Sequence, residues 1–378
     1  MTIADETLPA SRVTIMTFFV VLLLFVISDV FLLRHMVRVQ TPGFDFLAIW
    51  AGLRQALVNP AQLYDFAAVT GLQRSELRVT DLVRPFAYPP SALPLLVVLG
   101  MLPFRIAFVV FSVLSSGAML ATTWRLVGDR WAMVLLVIAP IVVLAGSVGQ
   151  LSFLIAALVL FALSTPERPI ISGVALGIAA SVKPQLLVLL PVALVAARQW
   201  RTLASASVTV FAMILASIAL VGAGAWIAWV EALPRFTEVT LALGLLPGML
   251  TPTSVLMRMG VDGAPLRAAQ LVFALGGIAV AWWGFRRPRP VSTRLVSLVA
   301  GSLMLAPYGM NYELAVLAPA AVAVTPGRNS PFLKLLAVLA LHVLVPPPLA
   351  LLMLVVAVFV ADGGAARTAA HMSAPASA

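Results

Sequence analysis

The stretch Val13–Leu33, VTIMTFFVVLLLFVISDVFLL, decides the fold. Asp29 is its only charged residue, and its length matches the roughly 20 apolar residues that cross a hydrocarbon core. A signal-peptide core is shorter and is followed by a small-residue cleavage site. This run has neither property and reads as a first transmembrane helix. Further apolar runs follow at Pro103–Thr123, Trp131–Gly146, Leu151–Leu163, Ile170–Val182, Pro184–Ala197, Leu203–Val221, Pro265–Phe285, Val291–Ala306, Tyr312–Thr325, Phe332–Val345 and Leu349–Ala361. Several are shorter than a straight crossing needs, which predicts tilted or re-entrant helices. Of the 378 residues, 62% are hydrophobic and 10% charged, with a mean hydropathy of +1.08. Soluble domains carry about 25% charged residues, so the bilayer is the solvent for most of this chain.

The expected architecture is an all-α polytopic membrane protein of about 12 transmembrane helices. Residues 1–362 form one transmembrane domain, and the small, polar residues 363–378 a disordered tail. The net charge of +10 is explained by basic loops that fix membrane orientation, so nucleic acid is not an expected partner. The chain has no cysteine, and His35, His342 and His371 are too scattered for a zinc site. With no Asp-x-Asp pair to hold a metal, the residues require no metal or other cofactor, and they leave a divalent cation open as a helper.

Loop charges give the orientation. The segment Pro90–Leu102 is apolar but short, and counting it as a span reverses everything after it. If it dips and returns, with the N-terminus cytoplasmic, the short inner connections hold Arg125, Arg130, Arg168, Arg198, Arg201, Arg286, Arg287, Arg289, Arg294 and Lys334, among others. The short outer ones hold only Lys183. This satisfies the positive-inside rule, and the reverse violates it at each loop. Both termini are then expected in the cytoplasm. Two long outer loops result, at about 34–90 and 222–264. No internal repeat of the kind common in secondary transporters is visible.

Polar groups at membrane depth are costly enough that each is a functional candidate. Asp45, in Gly43-Phe44-Asp45-Phe46, opens a short juxtamembrane helix whose Phe46, Ile49, Trp50, Leu53 and Leu57 share a face, with Trp50 suited to an interface. Asp45 reads both as the cap of that helix and as a catalytic carboxylate, and the two roles are compatible. Asp29 is expected to pair with Arg34 or His35. Lys183, in Ser181-Val182-Lys183-Pro184-Gln185, would be satisfied by a phosphate at headgroup level or by snorkelling to lipid. Arg84, before Phe86-Ala87-Tyr88-Pro89-Pro90, suits a lipid phosphate beside the dip. Gln150 serves either to hydrogen-bond a sugar hydroxyl or to cap a helix. In Pro307-Tyr308-Gly309-Met310-Asn311-Tyr312-Glu313, Tyr308 and Tyr312 read as sugar-stacking rings or as ordinary interfacial tyrosines. Tyr88, Asn311 and Glu313 complete the candidates for holding sugar or acceptor.

Taken in order, these segments resemble a family. The set comprises Asp45-Phe46 with Trp50, Gln62-Leu63-Tyr64-Asp65, Phe86-Ala87-Tyr88-Pro89-Pro90 with its apolar dip, and Gly149-Gln150. It continues with Ser172-Gly173-Val174-Ala175-Leu176-Gly177, Val182-Lys183-Pro184-Gln185 and Ala306-Pro307-Tyr308 with Asn311-Tyr312-Glu313. The set is similar to glycosyltransferase family 87 of the GT-C superfamily, which includes polyprenyl-phosphomannose-dependent mannosyltransferases. The resemblance implies a GT-C fold and inverting transfer from a polyprenyl-phosphate sugar to a lipid or glycan acceptor at the extracytoplasmic face of a bacterial inner membrane. It makes Asp45 the general base and gives Lys183 a phosphate-facing role. Many members carry histidine or aspartate around the position of Tyr312, where this chain has Asn311 and Glu313. Two other readings compete: a carrier that moves lipid or glycolipid across the membrane, and a non-catalytic subunit of an envelope-assembly complex.

Overall fold

The computed structural model describes residues 10–39, 42–77, 84–326 and 329–373. Every named element among them is helical, and strand-like pairing is confined to one isolated bridge between Met249 and Met310. Five helices are long and apolar enough to cross a membrane: Phe18–His35, Phe104–Val127, Trp200–Val221, Gly263–Phe285 and Pro347–Gly364. Two bent pairs, Arg130–Val137 with Pro140–Val148 at 50° and Pro169–Val182 with Pro184–Ala196 at 120°, raise the number of spans to as many as seven. The long helices turn Phe, Leu and Val side chains outward, among them Phe211, Leu215, Leu271 and Leu275. The shorter ones are wrapped in protein, and Leu314–Val322 is buried on every side. A multi-pass membrane protein is built this way: lipid solvates the outer shell, and short helices suffice inside it because they need not reach both interfaces.

Small residues set the helix spacing. A Cβ on Gly173 would come within 2.6 Å of the Thr202 carbonyl oxygen, and one on Gly177 within 2.7 Å of that of Ala206. The helix Pro169–Val182 therefore lies directly on the backbone of Trp200–Val221, as small residues four apart allow between membrane helices.

The helix expected after the first span runs from Phe44 to Val58, but it is not an amphipathic surface helix. Phe46 to Leu53 are all buried, and Trp50 donates from its indole nitrogen to the Leu102 carbonyl at 2.9 Å instead of facing the interface. The segment Pro90–Met101, three short helical pieces, covers it. Gly100 permits this cover, since a Cβ there would sit 2.7 Å from the Leu53 carbonyl carbon. Asp29 does not form the expected pair with Arg34 or His35, and its Oδ1 is buried without a hydrogen-bond partner. The last helix, Pro347–Ser373, runs past Gly363, where the tail was expected to be disordered. Ala365, Ala366, Ala369 and Ala370 favour that continuation; residues 374–378 lie outside the described residues. The second long loop is also largely helical, as Gly224–Ala242 and Pro252–Arg258.

Candidate active site

A cavity of about 570 Å³ opens where the first long loop, the 149–150 turn, the bend at Lys183 and the 307–313 turn converge. Of the nine residues given a base, phosphate, sugar or acceptor role in the sequence, eight line it: Asp45, Arg84, Tyr88, Gln150, Lys183, Tyr308, Tyr312 and Glu313. Asn311 is absent from the wall, because its side-chain oxygen accepts from the Tyr312 N–H at 2.8 Å and forms the local turn.

Two glycines bring Asp45 and Gln150 together. Gly43 caps the Asp45 helix in the left-handed conformation, φ 77°, and its N–H donates to the Ser147 carbonyl at 2.7 Å. Gly149 ends the helix Pro140–Val148 in the same conformation, also at φ 77°. A Cβ on Gly149 would lie 2.5 Å from Cβ of Phe46, so only glycine lets the turn reach the Asp45 helix. The Asp45 side chain consequently makes no capping bond. Its Oδ2 accepts from Gln150 Nε2 at 2.6 Å, and the Tyr88 hydroxyl donates to Gln150 Oε1 at 3.2 Å. Arg84 Nε stands 3.6 Å from Asp45 Oδ1, an ion pair beyond hydrogen-bond length. The guanidinium lies over the Phe44 ring at 5.0 Å.

Lys183 occupies the vertex of the 120° bend. Its Nζ is 3.2 Å from Glu313 Oε1, with the two side chains 3% and 5% exposed, and 5.4 Å from the centre of the Tyr312 ring. The contact is Coulombic without hydrogen-bond alignment: Nζ and Glu313 Oε2 are both buried without a hydrogen-bond partner. Desolvation raises the Asp45 carboxyl above the ordinary aspartate range, while Arg84, the Gln150 hydrogen bond and Lys183 act the other way. Burial, reinforced by the nearby carboxylates Asp45 and Glu313, pushes the Tyr88 hydroxyl up well above its usual value, so it stays a protonated donor. Among the described residues, no three Asp, Glu or His side chains gather as a metal cluster.

Two contributors escape a sequence reading. The helix Gly224–Ala242 roofs the cavity with Trp229, Leu233, Phe236, Thr237 and Thr240. These recur at helical spacing on one face, and that period was the available signal. Trp229 also donates to the Ala87 carbonyl at 3.2 Å. Gln73, outside the cavity, bonds the main chain of Arg84, and nothing in its local sequence announces this.

A model of glycosyltransferase family 87 matches residues 86–307. The matched stretch takes in Tyr88, Gln150 and Lys183 and stops short of Asp45, Arg84 and most of the 307–313 turn. No curated protein and no solved structure matches the chain.

Proposed function

The chain belongs to glycosyltransferase family 87, and from that premise we propose how this membrane glycosyltransferase works. It moves a sugar, mannose or another hexose or a pentose, from a polyprenyl-phosphate donor to a hydroxyl of a lipid or glycan acceptor. Transfer takes place with inversion on the extracytoplasmic face of a bacterial inner membrane, with both termini cytoplasmic and Asp45 as the general base. The observation that carries this reading is the partly buried Asp45 carboxylate beside Arg84 and within electrostatic reach of Lys183, on the wall of one cavity whose other carboxylate, Glu313, is already paired with Lys183. The side of the membrane is supported by the same cavity. The connections at 149–150, 183–185 and 307–313, all outer by loop charge, meet in it.

An unactivated hydroxyl is a poor nucleophile, so a positioned base must take its proton as it attacks. The acceptor O–H gives that proton to an Asp45 oxygen while its own oxygen bonds the anomeric carbon. The bond from that carbon to the phosphate oxygen breaks on the opposite face, and its electron pair goes to the phosphate. The donor phosphate, a diester with a single negative charge, leaves as polyprenyl phosphate with a second. Arg84 and Lys183 balance that growing charge where little water screens it. Tyr88, Tyr308 and Tyr312 offer rings and hydroxyls for the sugar. Val188, Leu233, Leu245 and Leu305 give the cavity an apolar lane for the first isoprene units. The reaction drawn this way calls on no cofactor.

Membranes holding the chain, supplied in turn with radiolabelled polyprenyl-phosphate sugars and nucleotide sugars, are expected to label glycolipid or glycan from one lipid-linked donor. Labelling straight from a nucleotide sugar, with synthesis of the lipid-linked sugar blocked, would overturn the donor assignment. The pH dependence has a defined sign. A base works ionised, so the rate is present above the Asp45 pKa and is lost as pH falls through it. Because burial raises that pKa, the acid limb is expected above the ordinary aspartate value of about 3.9. Arg84→Ala removes an opposing charge and should move the limb higher still, which initial rates across a pH series would read.

A further inference from the structure

We infer that Gln73 is a positioning residue for transfer: its side-chain amide clamps the main chain of Arg84 and so holds the guanidinium against the Asp45 carboxylate. Gln73 Nε2 donates to the Arg84 carbonyl at 2.7 Å, and the Arg84 N–H donates to Gln73 Oε1 at 3.1 Å. One side-chain amide thus engages both polar groups of one backbone residue, as a neighbouring strand would, and fixes its orientation as well as its distance. Gln73 is 2% exposed. A buried amide is tolerated only with its partners in place, and here both partners belong to Arg84.

The stretch 84–89 needs such a clamp because it forms no helix or strand, and Pro85 and Pro89 lack an N–H to donate. It is strapped at both ends from one neighbouring segment. The Tyr64 hydroxyl donates to the Tyr88 carbonyl at 2.7 Å, and Gln73, on the helix Phe66–Leu77, holds Arg84. That helix is anchored through buried Val69 and through Phe66 against Phe236 on the roof. The clamp therefore relates Arg84 to the helix carrying Asp45, against which the Gln73 helix packs. Asp45 also faces Lys183 and lies within electrostatic reach of Tyr88 and Tyr312; Glu313 faces the same two tyrosines. The side-chain hydrogen bonds of Gln73 go to Arg84 and to none of these groups, so its loss should reach Asp45 through Arg84.

The inference rests on the reading of Asp45 as the base, and the test separates the two. Gln73→Met, which keeps the volume and removes both bonds, is compared in the purified protein with Arg84→Ala, the double variant and Asp45→Asn. One readout is the kinetics of transfer. The other is carbodiimide labelling of Asp45 against pH, read by mass spectrometry, which reports the protonated carboxyl without turnover. Gln73→Met is expected to lower kcat by about 10–100-fold, the scale known for hydrogen-bond partners that orient metal ligands. It should raise the labelling midpoint in the same direction as Arg84→Ala, and it should add nothing in the Arg84→Ala background. Gln73→Glu, which keeps the acceptor for the Arg84 N–H, serves if the methionine variant does not accumulate, and should fall between it and wild type. A labelling curve unchanged by Gln73→Met, or losses that multiply in the double variant, would overturn the clamp. Full turnover in Asp45→Asn would overturn the base reading and Gln73's part in transfer, leaving the clamp itself to the labelling curve.

Discussion

Asp45→Asn is expected to remove transfer by about 10²–10⁴-fold, the usual worth of a positioned base, while the chain keeps its fold. The change is isosteric. The amide oxygen it introduces can still accept from Gln150 Nε2, now 2.6 Å from Asp45 Oδ2, and the helix start does not depend on this side chain because Gly43 caps it. What disappears is a carboxylate able to take a proton and the counter-charge of Arg84. Arg84 keeps its contact with the Phe44 ring and is partly solvated, so an unpaired guanidinium there is tolerable. Initial rates beside a thermal melt would check both halves. A folded variant transferring within a factor of two of wild type would end the base assignment.

Lys183→Met is expected to damage both stability and activity, and a second substitution should separate the two. Its partner Glu313 is 4% exposed. Removing one member of a buried ion pair strands the other charge and costs about 3–5 kcal/mol, whereas replacing both with apolar groups is often neutral. Lys183→Met alone should therefore lower the melting temperature in detergent, and Lys183→Met with Glu313→Leu should recover much of it. Transfer should not recover with the fold. A lost electrostatic stabiliser of a developing anion costs roughly 10²–10³-fold in kcat, and the double variant still lacks it. A double variant that regained both would reduce Lys183 to an architectural role.

The membrane class and much of the candidate site were legible in the sequence for one reason: charged residues and tyrosines are so scarce here that those in the connections stand out. Asp45, Gln150, Lys183 and Tyr312 are far apart in the chain, yet loop charge assigned their connections to one side, and they line one cavity. Local pattern misled where tertiary contacts overrode it. Trp50 has the amphipathic spacing of an interfacial residue, but the segment Pro90–Met101 covers it and Leu102 takes its N–H. Asp45 occupies a good capping position, yet the left-handed Gly43 is the cap and frees the carboxylate for Gln150. The roof helix was hidden because Pro234, Glu231, Arg235 and Glu238 interrupt its apolar run, although its inward face keeps the helical period. Gln73 had no signal at all, since a hydrogen bond across a loop leaves no periodicity.

The bonds that complete the cavity reach far along the chain, and this bears on how the protein is made. Asp45 and Gln150 are 105 residues apart, and the bond from Ser152 to the Tyr312 carbonyl spans 160. At the ribosome's pace of about 5–20 residues per second, the second interval alone takes roughly 8–30 s. For most of that time the nascent protein holds Lys183 in the membrane before Glu313 has been synthesised. The growing chain thus carries an unmatched cation at the bend, one that lipid phosphates or an insertion factor must accommodate until the 307–313 turn arrives to close the site.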